Sequence, residues 1–411
     1  MNLLEQIQAL QFTDRPAAET LLKSFIAAQF DLDVQSIELR PLAVSLNSFN
    51  GFMTLVDGRR LFFKTHTEPN NVIGEYYNAA SLAQAGYPVL QPVMQSTEAG
   101  KQFLVYEVID DPSVFDVAWE IENRRSPRFV ELETAQRAAD RHLREIYAHT
   151  LAEQSAADSA GAPIHQLFYH RLTGGRLKAF YDDDITLVLP EHTLSMREAR
   201  RLKWTINDQQ YEDSLDTIIH RAVELLNPAA QSGASIIGHG DAHNGNVFLR
   251  GGEANVSLLY FDPAFAGRHS PLLDLTKPLF HNIFAMWMYF PHVIAGRLNI
   301  SLTVNEDRLH VTHDYALHPI RRMFLESKVN AVLIPTLRDL RDRGWLRADW
   351  RAALKASLFC CPFLTMNLAD PAKFPPSIRL LGLSMAVEMG SESGGTRSII
   401  DQTLDEVERA L

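Results

Sequence analysis

Three polar side chains in one short stretch could bind a metal ion and activate a hydroxyl group. Asp241 and Asn246 lie five residues apart, and Asp262 follows after a predicted β-hairpin. A metal ion bound to a nucleotide phosphate prefers hard oxygen ligands from separate backbone segments, and the Asn246 amide and Asp262 carboxylate supply them. A carboxylate at Asp241 could orient an attacking hydroxyl group and accept its proton. The pattern therefore predicts metal-assisted chemistry on a phosphate.

Short strand-like runs flank these residues on both sides. Ile236-Ile237 precedes the loop that contains Asp241, and Val247–Leu249 and Val256–Phe261 follow it as two further apolar runs. Arg250–Glu253, with two glycines, joins the last two runs as a turn. We therefore expect a loop between two short strands, with Asp262 at the end of the second arm of a hairpin.

This stretch resembles the catalytic segment of the aminoglycoside phosphotransferase and choline kinase superfamily, whose members are relatives of the protein kinases. The family's loop reads His-Gly-Asp, four residues, then Asn, and a metal-binding Asp follows a hairpin, as in this sequence. The resemblance implies that Asp241 is the catalytic base and that Asn246 and Asp262 bind Mg²⁺. It also implies that His239 braces the loop and that Asp274, in Ser-Pro-Leu-Leu-Asp-Leu, supports it from downstream.

A nucleotide kinase also needs a cation on the α- and β-phosphates and a helix carboxylate that holds the cation. Lys64 ends the apolar run Leu61–Lys64, and Glu75 lies near the start of the next predicted helix, Asn71–Gly86. We predict that Lys64 contacts the phosphates and that Glu75 contacts Lys64.

Two further segments complete the predicted nucleotide site. The strand Phe103–Ile109 is expected to lead into a hinge, where backbone groups from Glu107 to Ile109 hydrogen-bond the purine. The loop Leu46–Gly51, with Ser48 and Asn50, is expected to cover the phosphates, although it has one glycine where protein kinases have several. The implied cofactors are ATP, with GTP possible, and Mg²⁺.

The predicted fold class is α+β, with the two lobes of the protein-kinase-like fold. Residues 1–108 are expected to form an N-lobe with a small antiparallel sheet and one helix. Residues 109–411 are expected to form a mainly helical C-lobe that contains the catalytic segment 236–275 and the substrate-binding helices. The patterns behind this prediction are the strand-like runs Ile37–Pro41, Phe52–Val56 and Leu61–Thr65, the amphipathic helix Glu131–Glu153 and the loop Gln154–Pro163.

The composition is that of an ordinary globular protein. The 411 residues are 46% hydrophobic and 22% charged, which excludes a disordered, collagen-like or disulfide-scaffold protein. The net charge of −11 argues against a nucleic acid or an anionic membrane as partner, because phosphates would be repelled. Only Cys360 and Cys361 occur, and the N-terminus lacks a basic start, so we expect a reducing cytoplasmic location. The oligomeric state is left open.

Three other functions compete with a small-molecule kinase. A metallophosphoesterase is suggested by Gly240-Asp241-Ala242-His243, but such a site needs further His and Asp ligands. A catalytically inactive, kinase-like nucleotide-binding module normally lacks the base or a metal ligand, and all three are present here. A protein kinase is disfavoured because no Ala-Pro-Glu follows Asp262. We therefore favour an enzyme that transfers the ATP γ-phosphoryl group to a hydroxyl of an aminoglycoside, choline, sugar, amino alcohol or similar small molecule.

Overall fold

The first quarter of the chain forms an antiparallel sheet covered by helices. The computed structural model describes residues 3–40, 48–66, 74–96, 98, 100–252 and 255–411, and the side chains of Ser48, His66 and residues 74–77 lie outside this description. The sheet has five strands in the order β1-β2-β3-β5-β4. The strands are β1 Val34–Leu39, β2 Ser48–Leu55, β3 Arg60–His66, β4 Met94–Ser96 and β5 Phe103–Glu107.

The β2–β3 hairpin turns at Asp57 and Gly58 and sets the register between Asn50 and Lys64. Asp57 accepts a hydrogen bond from the Arg59 backbone N–H at 2.9 Å, and Gly58 has a φ of +87°, which glycine adopts without strain. The register then places Asn50 directly opposite Lys64. The predicted phosphate-covering loop 46–51 is wrong from Ser48 onward, because those residues pair with β3 as part of a strand. Residues 41–47 lie outside the described part of the chain.

The prediction of one helix in this region is also wrong. Helices α1 (Leu3–Leu10) and α2 (Arg15–Phe30) precede the sheet, and α3 (Gly74–Ala85) confirms the predicted helix. Asp14 caps α2 by accepting a hydrogen bond from the Ala17 backbone N–H at 3.1 Å. The buried residues of α2 recur every three or four positions and pack against the sheet in one hydrophobic cluster; they are Ala18, Leu22, Phe25 and Ile26.

The rest of the chain is mainly helical, as predicted. The predicted helix Glu131–Glu153 is observed as α5, which ends at Thr150. The helices are α4 Val114–Glu122, α5 Phe129–Thr150, α6 Ala156–Ala160, α7 Tyr169–Thr173, α8 Arg176–Tyr181, α9 Met196–Arg201, α10 Leu215–Leu225, α11 Pro271–His281, α12 Met286–Tyr289, α13 Pro291–Ala295, α14 Pro319–Lys328, α15 Ile334–Asp342, α16 Trp350–Leu364, α17 Pro376–Gly390 and α18 Ile399–Ala410.

Several short strands interrupt this helical part. The predicted loop Gln154–Pro163 is partly wrong, because β6 and α6 occupy most of it, and a second sheet with the order β15-β16-β9-β10-β17 was not predicted. These strands are too short to give a clear alternating pattern. They are β6 Ala152–Gln154, β7 Thr186–Leu189, β8 His192–Ser195, β9 Lys203–Ile206, β10 Gln209–Tyr211, β11 Gly233–Gly238, β12 Val247–Arg250, β13 Ser257–Tyr260, β14 Gly267–His269, β15 Ile300–Val304, β16 Arg308–His313 and β17 Gly394–Gly395.

Among the described residues, buried apolar side chains form two large hydrophobic cores and one small cluster. One large core lies between the first sheet, α1 and α2, the other fills most of the remainder, and the small cluster contains Leu104 and Tyr106 on the first sheet. The larger core includes Leu82, Tyr87 and Val89, so the end of α3 and the following segment pack with later residues. The Leu90 backbone N–H also donates to the Tyr260 carbonyl at 2.8 Å. The boundary between residues 108 and 109 stays a prediction. Among the described residues, none of the helices has the length and apolar character of a membrane span.

Candidate active site

The loop after β11 holds Asp241 in a fixed backbone conformation. The Asp241 carbonyl accepts two hydrogen bonds, from the His243 backbone N–H at 2.8 Å and from Asn246 Nδ2 at 2.9 Å. Gly240 has a φ of +79°, and a Cβ atom there would collide with the Phe265 carbonyl. Glycine is therefore required next to Asp241 for both conformation and space.

His239 connects this loop to the end of β13. Its side chain is buried, and its Nε2 lies 3.0 Å from the Phe261 carbonyl, within hydrogen-bonding distance. Phe261 immediately precedes Asp262, so the contact fixes the spacing between the loop and that residue. The loop-bracing role that the family resemblance implies for His239 stays a prediction, and this contact agrees with it. A direct contact with substrate is not expected of a buried side chain.

Asp274 supports the same loop from helix α11. Its carboxylate accepts hydrogen bonds from the Gly240 backbone N–H at 2.6 Å, from His269 Nε2 at 2.9 Å and from the Tyr147 hydroxyl. Burial raises the pKa of Asp274, but the hydrogen bonds and charge of its partners outweigh burial, and the pKa lies below its usual value. A charged, fully bonded carboxylate therefore anchors the residue before Asp241.

Asn246 and Asp262 lie at one end of the β12–β13 hairpin. The Phe261 backbone N–H donates to the Asn246 carbonyl at 3.0 Å, which brings the following residue, Asp262, next to Asn246. The Asn246 amide nitrogen is used in the hydrogen bond to Asp241, so its oxygen remains as the acceptor of that side chain. Asp262 has a φ of +55°, which is uncommon for a residue with a side chain. Two hard oxygen donors on separate segments fit a magnesium ion that takes its other ligands from phosphates and water.

Lys64 reaches across from the sheet to the hairpin. Its Nζ lies 2.8 Å from Asp262 Oδ1, although the two residues are far apart in the sequence. The predicted contact between Lys64 and Glu75 stays a prediction, because the Glu75 side chain lies outside the described residues. Helix α3, which contains Glu75 near its start, does approach this region, since Asn78 Nδ2 donates to the Pro263 carbonyl at 3.1 Å.

A cavity of about 300 Å³ lies between the sheet and the hairpin. Five residues predicted to bind the nucleotide or its metal line it together: Asn50, Lys64, Glu107, Ile109 and Asp262. The rest of its lining is apolar or aromatic. These residues are Phe52, Phe62, Leu90, Tyr106, Val108, Phe248 and Phe261.

Asp241 lies beside a buried lysine that the sequence analysis missed. Lys277 Nζ is 3.7 Å from Asp241 Oδ1 and 3.3 Å from His281 Nε2. Tyr289 then places its hydroxyl 2.7 Å from His281 Nδ1. Burial raises the pKa of Asp241, but the charges around it, that of Lys277 above all, bring this pKa below its usual value. The sequence does contain a signal for this pair, because Lys277 and His281 lie four residues apart in the otherwise mainly apolar segment Pro271–His281 and would share one face of a helix.

The side chain of His243 hydrogen-bonds to the backbone of its own loop. Its Nδ1 accepts a hydrogen bond from the Gly245 N–H at 3.0 Å, and its Nε2 lies 4.0 Å from Asp241 Oδ2. The metallophosphoesterase alternative treats Asp241 and His243 as half of a metal site. The described residues contain no group of three or more His, Cys, Asp or Glu side chains that could hold a metal ion.

Comparisons with known proteins find similarity in structure only. No protein-family model matches the sequence, and no curated protein matches it. An amicoumacin kinase in complex with AMP-PNP, Ca²⁺ and Ami is 15% identical, with 90% of this chain and 93% of that chain covered and a TM-score of 0.46. A thermostable mutant of the aminoglycoside phosphotransferase APH(4)-Ia, with AMP-PNP and hygromycin B, is 10% identical, with 92% and 100% covered and a TM-score of 0.48.

A third similar structure is an ethanolamine kinase from Plasmodium vivax. It is 10% identical, with 99% of this chain and 93% of that chain covered and a TM-score of 0.42. By name, two of the three proteins are kinases and one is a phosphotransferase.

Proposed function

We propose that this protein is a magnesium-dependent phosphotransferase that moves the γ-phosphoryl group of ATP to a hydroxyl group of a small molecule. The observation that carries the proposal is the meeting of Lys64 and Asp262, 2.8 Å apart, in the lining of a cavity that residues 107–109 also line. A cation and a metal-binding carboxylate are the two charges that a bound triphosphate needs at such a position.

The nucleotide is proposed to lie with its base against the apolar part of the cavity. Strand β5 ends at Glu107, so the backbone of Val108 and Ile109 lies outside the strand and is available to a purine edge. Lys64 would contact the α- and β-phosphates, and Glu75 would hold Lys64 from helix α3. Asn50 faces Lys64 from the neighbouring strand and would lie near the phosphates. Ser48, two residues before Asn50 on the same strand, is proposed to lie near the phosphates as well.

Asn246 and Asp262 would hold the magnesium ion. When bound there, the ion would neutralise charge on the phosphates during transfer. The hydrogen bond between Asn246 Nδ2 and the Asp241 carbonyl aligns the Asn246 amide, and His239 fixes the end of β13 before Asp262. The two proposed oxygen ligands are thus held in position without a nucleotide, which reduces the side-chain entropy lost on binding.

Asp241 would act as the base. Its side chain is 17% exposed, and Oδ1 is buried, so Oδ2 is the oxygen that an acceptor hydroxyl can reach. The hydroxyl proton would pass to Asp241 while its oxygen attacks the γ-phosphorus, and ADP would leave with the bridging oxygen. The low pKa of Asp241 keeps it ionised and ready to accept this proton near neutral pH.

The proposal is tested by measuring ADP release from ATP and magnesium in the presence of a library of hydroxyl compounds. We expect at least one compound to stimulate release by the wild type. We expect Asp241→Asn to lower turnover by roughly 10²- to 10⁴-fold, because the base is lost, while nucleotide affinity changes little. Asp158→Asn, at an exposed helix start elsewhere, is the matched control and should retain full activity.

Two results would contradict the proposal. Undiminished turnover by Asp241→Asn would show that another group takes the proton. Nucleotide binding without ADP release for any acceptor would instead support the inactive, nucleotide-binding module. Competition between ATP and GTP in the same assay distinguishes the two nucleotides.

A further inference from the structure

Helix α11 contacts the proposed catalytic loop at two points. Asp274 binds the backbone N–H of Gly240, and Lys277, on the same face of the helix three residues later, lies 3.7 Å from Asp241 Oδ1. Every residue of α11 is buried, and the Lys277 side chain is only 4% exposed. Burying a lysine at such a position costs free energy, because its ammonium group loses its hydration.

A chain of hydrogen bonds fixes the Lys277 ammonium group from the other side. An ammonium group has no lone pair, so Lys277 must donate to His281 Nε2, 3.3 Å away. The hydrogen of His281 must then be on Nδ1, which donates to the Tyr289 hydroxyl oxygen at 2.7 Å. Burial and the neighbouring Lys277 bring the pKa of His281 well below its usual value, in agreement with a neutral imidazole.

The contact between Lys277 and Asp241 differs from the other buried lysine pairs. Lys328 and Lys355 make direct hydrogen bonds to the carboxylates of Asp140 and Asp401. Lys277 attracts Asp241 Oδ1 from 3.7 Å, and Oδ1 is buried without a hydrogen-bond partner. The ammonium charge therefore draws Oδ1 toward the protein interior. The second oxygen, Oδ2, lies 4.0 Å from His243 Nε2, and the Asp241 side chain as a whole is 17% exposed.

We propose that Lys277 is the positioning residue of Asp241. Its charge, held in place by His281 and Tyr289, turns the Asp241 carboxylate so that Oδ2 faces the cleft and can receive the proton of the acceptor hydroxyl. The proposal rests on the proposed phosphotransferase function, because it assigns Lys277 a role through the base of that reaction.

Lys277→Met tests this role, since methionine is similar in length to lysine and carries no charge. We expect the turnover number for ATP and magnesium, with water or an identified acceptor, to fall on the order of 10²-fold, as for a misplaced catalytic group. The affinity for AMP-PNP and magnesium should stay close to that of the wild type, since Lys277 does not line the nucleotide cavity. Lys277→Arg, which keeps the charge, should restore part of the turnover.

A double-mutant cycle separates this role from a structural one. If Lys277 acts through Asp241, Lys277→Met has no further effect on turnover in an Asp241→Asn protein. An independent, additive loss would overturn the proposal. The matched control is Lys328→Met, which removes a buried lysine from Asp140. It should lower the melting temperature and leave turnover unchanged well below that temperature.

A crystal structure of the Lys277→Met protein provides a readout that needs no activity. We expect the Asp241 carboxylate to leave its present orientation, and an unchanged carboxylate would overturn the proposal. The proposed function fails separately, if the wild type does not bind AMP-PNP and magnesium. Wild-type turnover that is lost in Asp241→Asn but kept in Lys277→Met would refute only the role of Lys277.

Discussion

At the scale of single residues, the site depends on buried carboxylates whose hydrogen-bond donors are held in place by the fold. Asp274 is the clearest case, because one buried side chain accepts from Gly240, His269 and Tyr147. Removing one partner of a buried, hydrogen-bonded charge is costly, since the remaining groups lose both their bond and their access to water. The effect should reach Asp241, which follows Gly240 directly.

Asp274→Asn is therefore expected to lower both the free energy of unfolding and turnover. We expect a loss of stability of about 3 kcal/mol, typical of a broken buried charge pair. Denaturant unfolding and ADP release measure the two effects. Tyr147→Phe removes one donor and leaves the Gly240 hydrogen bond intact, so it should reduce stability with a much smaller loss of turnover. Equal turnover losses in both variants would be inconsistent with a loop-supporting role.

The residues that could be predicted are those whose spacing is local. Asp241, Asn246 and Asp262 belong to one continuous motif, and their backbone contacts follow from it. Lys277 could not be predicted as a neighbour of Asp241, because their contact depends on how α11 packs under the loop. Lys64 and Asp262 were predicted to belong to one nucleotide site, but their direct contact was not predicted, because it joins the sheet to a hairpin far away in the sequence.

At the scale of elements, the loop and hairpin depend on a few backbone conformations. Gly240 and Gly58 both have positive φ angles, of +79° and +87°. A Cβ atom at Gly58 would meet nothing within 4 Å, whereas at Gly240 it would collide with the Phe265 backbone. Substituting Gly58 therefore introduces only an unfavourable backbone conformation, whereas substituting Gly240 introduces that conformation and a steric clash.

Gly240→Ala is expected to reduce turnover strongly, because the loop must move away from Phe265. Gly58→Ala, in the β2–β3 turn, should lose only about 1 kcal/mol of stability from its backbone conformation and keep its turnover. Thermal unfolding and ADP release under the same conditions provide the comparison. Turnover by Gly240→Ala equal to that of Gly58→Ala would show that the loop tolerates a shift, contrary to this account.

The errors in predicting elements have two causes. Helix α2 begins with a capping Asp14 and has a clear apolar face, so its local sequence favours a helix and its omission from the prediction was an error. The strands β9, β15 and β16 form a sheet between segments far apart in the sequence, which pairing preferences alone do not reveal. Prediction was most successful where two apolar runs lie close together in the sequence, as in the β2–β3 hairpin.

At the scale of the whole molecule, stability should fall in mild acid. His165 is buried, its Nε2 lies 2.9 Å from the Ser159 carbonyl, and its Nδ1 has no hydrogen-bond partner. Burial lowers the pKa of His165 to about 4. The unfolded chain therefore takes up a proton near the ordinary histidine pKa, while the folded chain does not, and stability is lost as the pH falls from about 6.5 toward 4.

His165→Gln should reduce this pH dependence, because glutamine does not titrate in that range. Urea unfolding at several pH values between about 4 and 7 measures the slope for wild type and variant. The contribution of His165 is expected to be a few kcal/mol at most, on the order of 1.4 kcal/mol for each unit of pKa shift. An identical slope in both proteins would contradict a buried, neutral His165.

The central proposal concerns the whole molecule, because the sheet would supply Lys64 and the hairpin would supply Asp262 for one bound triphosphate. Calorimetric titration with AMP-PNP, with and without magnesium, in the wild type and in Asp262→Asn tests it most directly. We predict that magnesium strengthens wild-type binding by about tenfold or more, equal to about 1.4 kcal/mol, and that Asp262→Asn loses this gain. Failure of the wild type to bind AMP-PNP, or the same magnesium dependence in both proteins, would contradict the account.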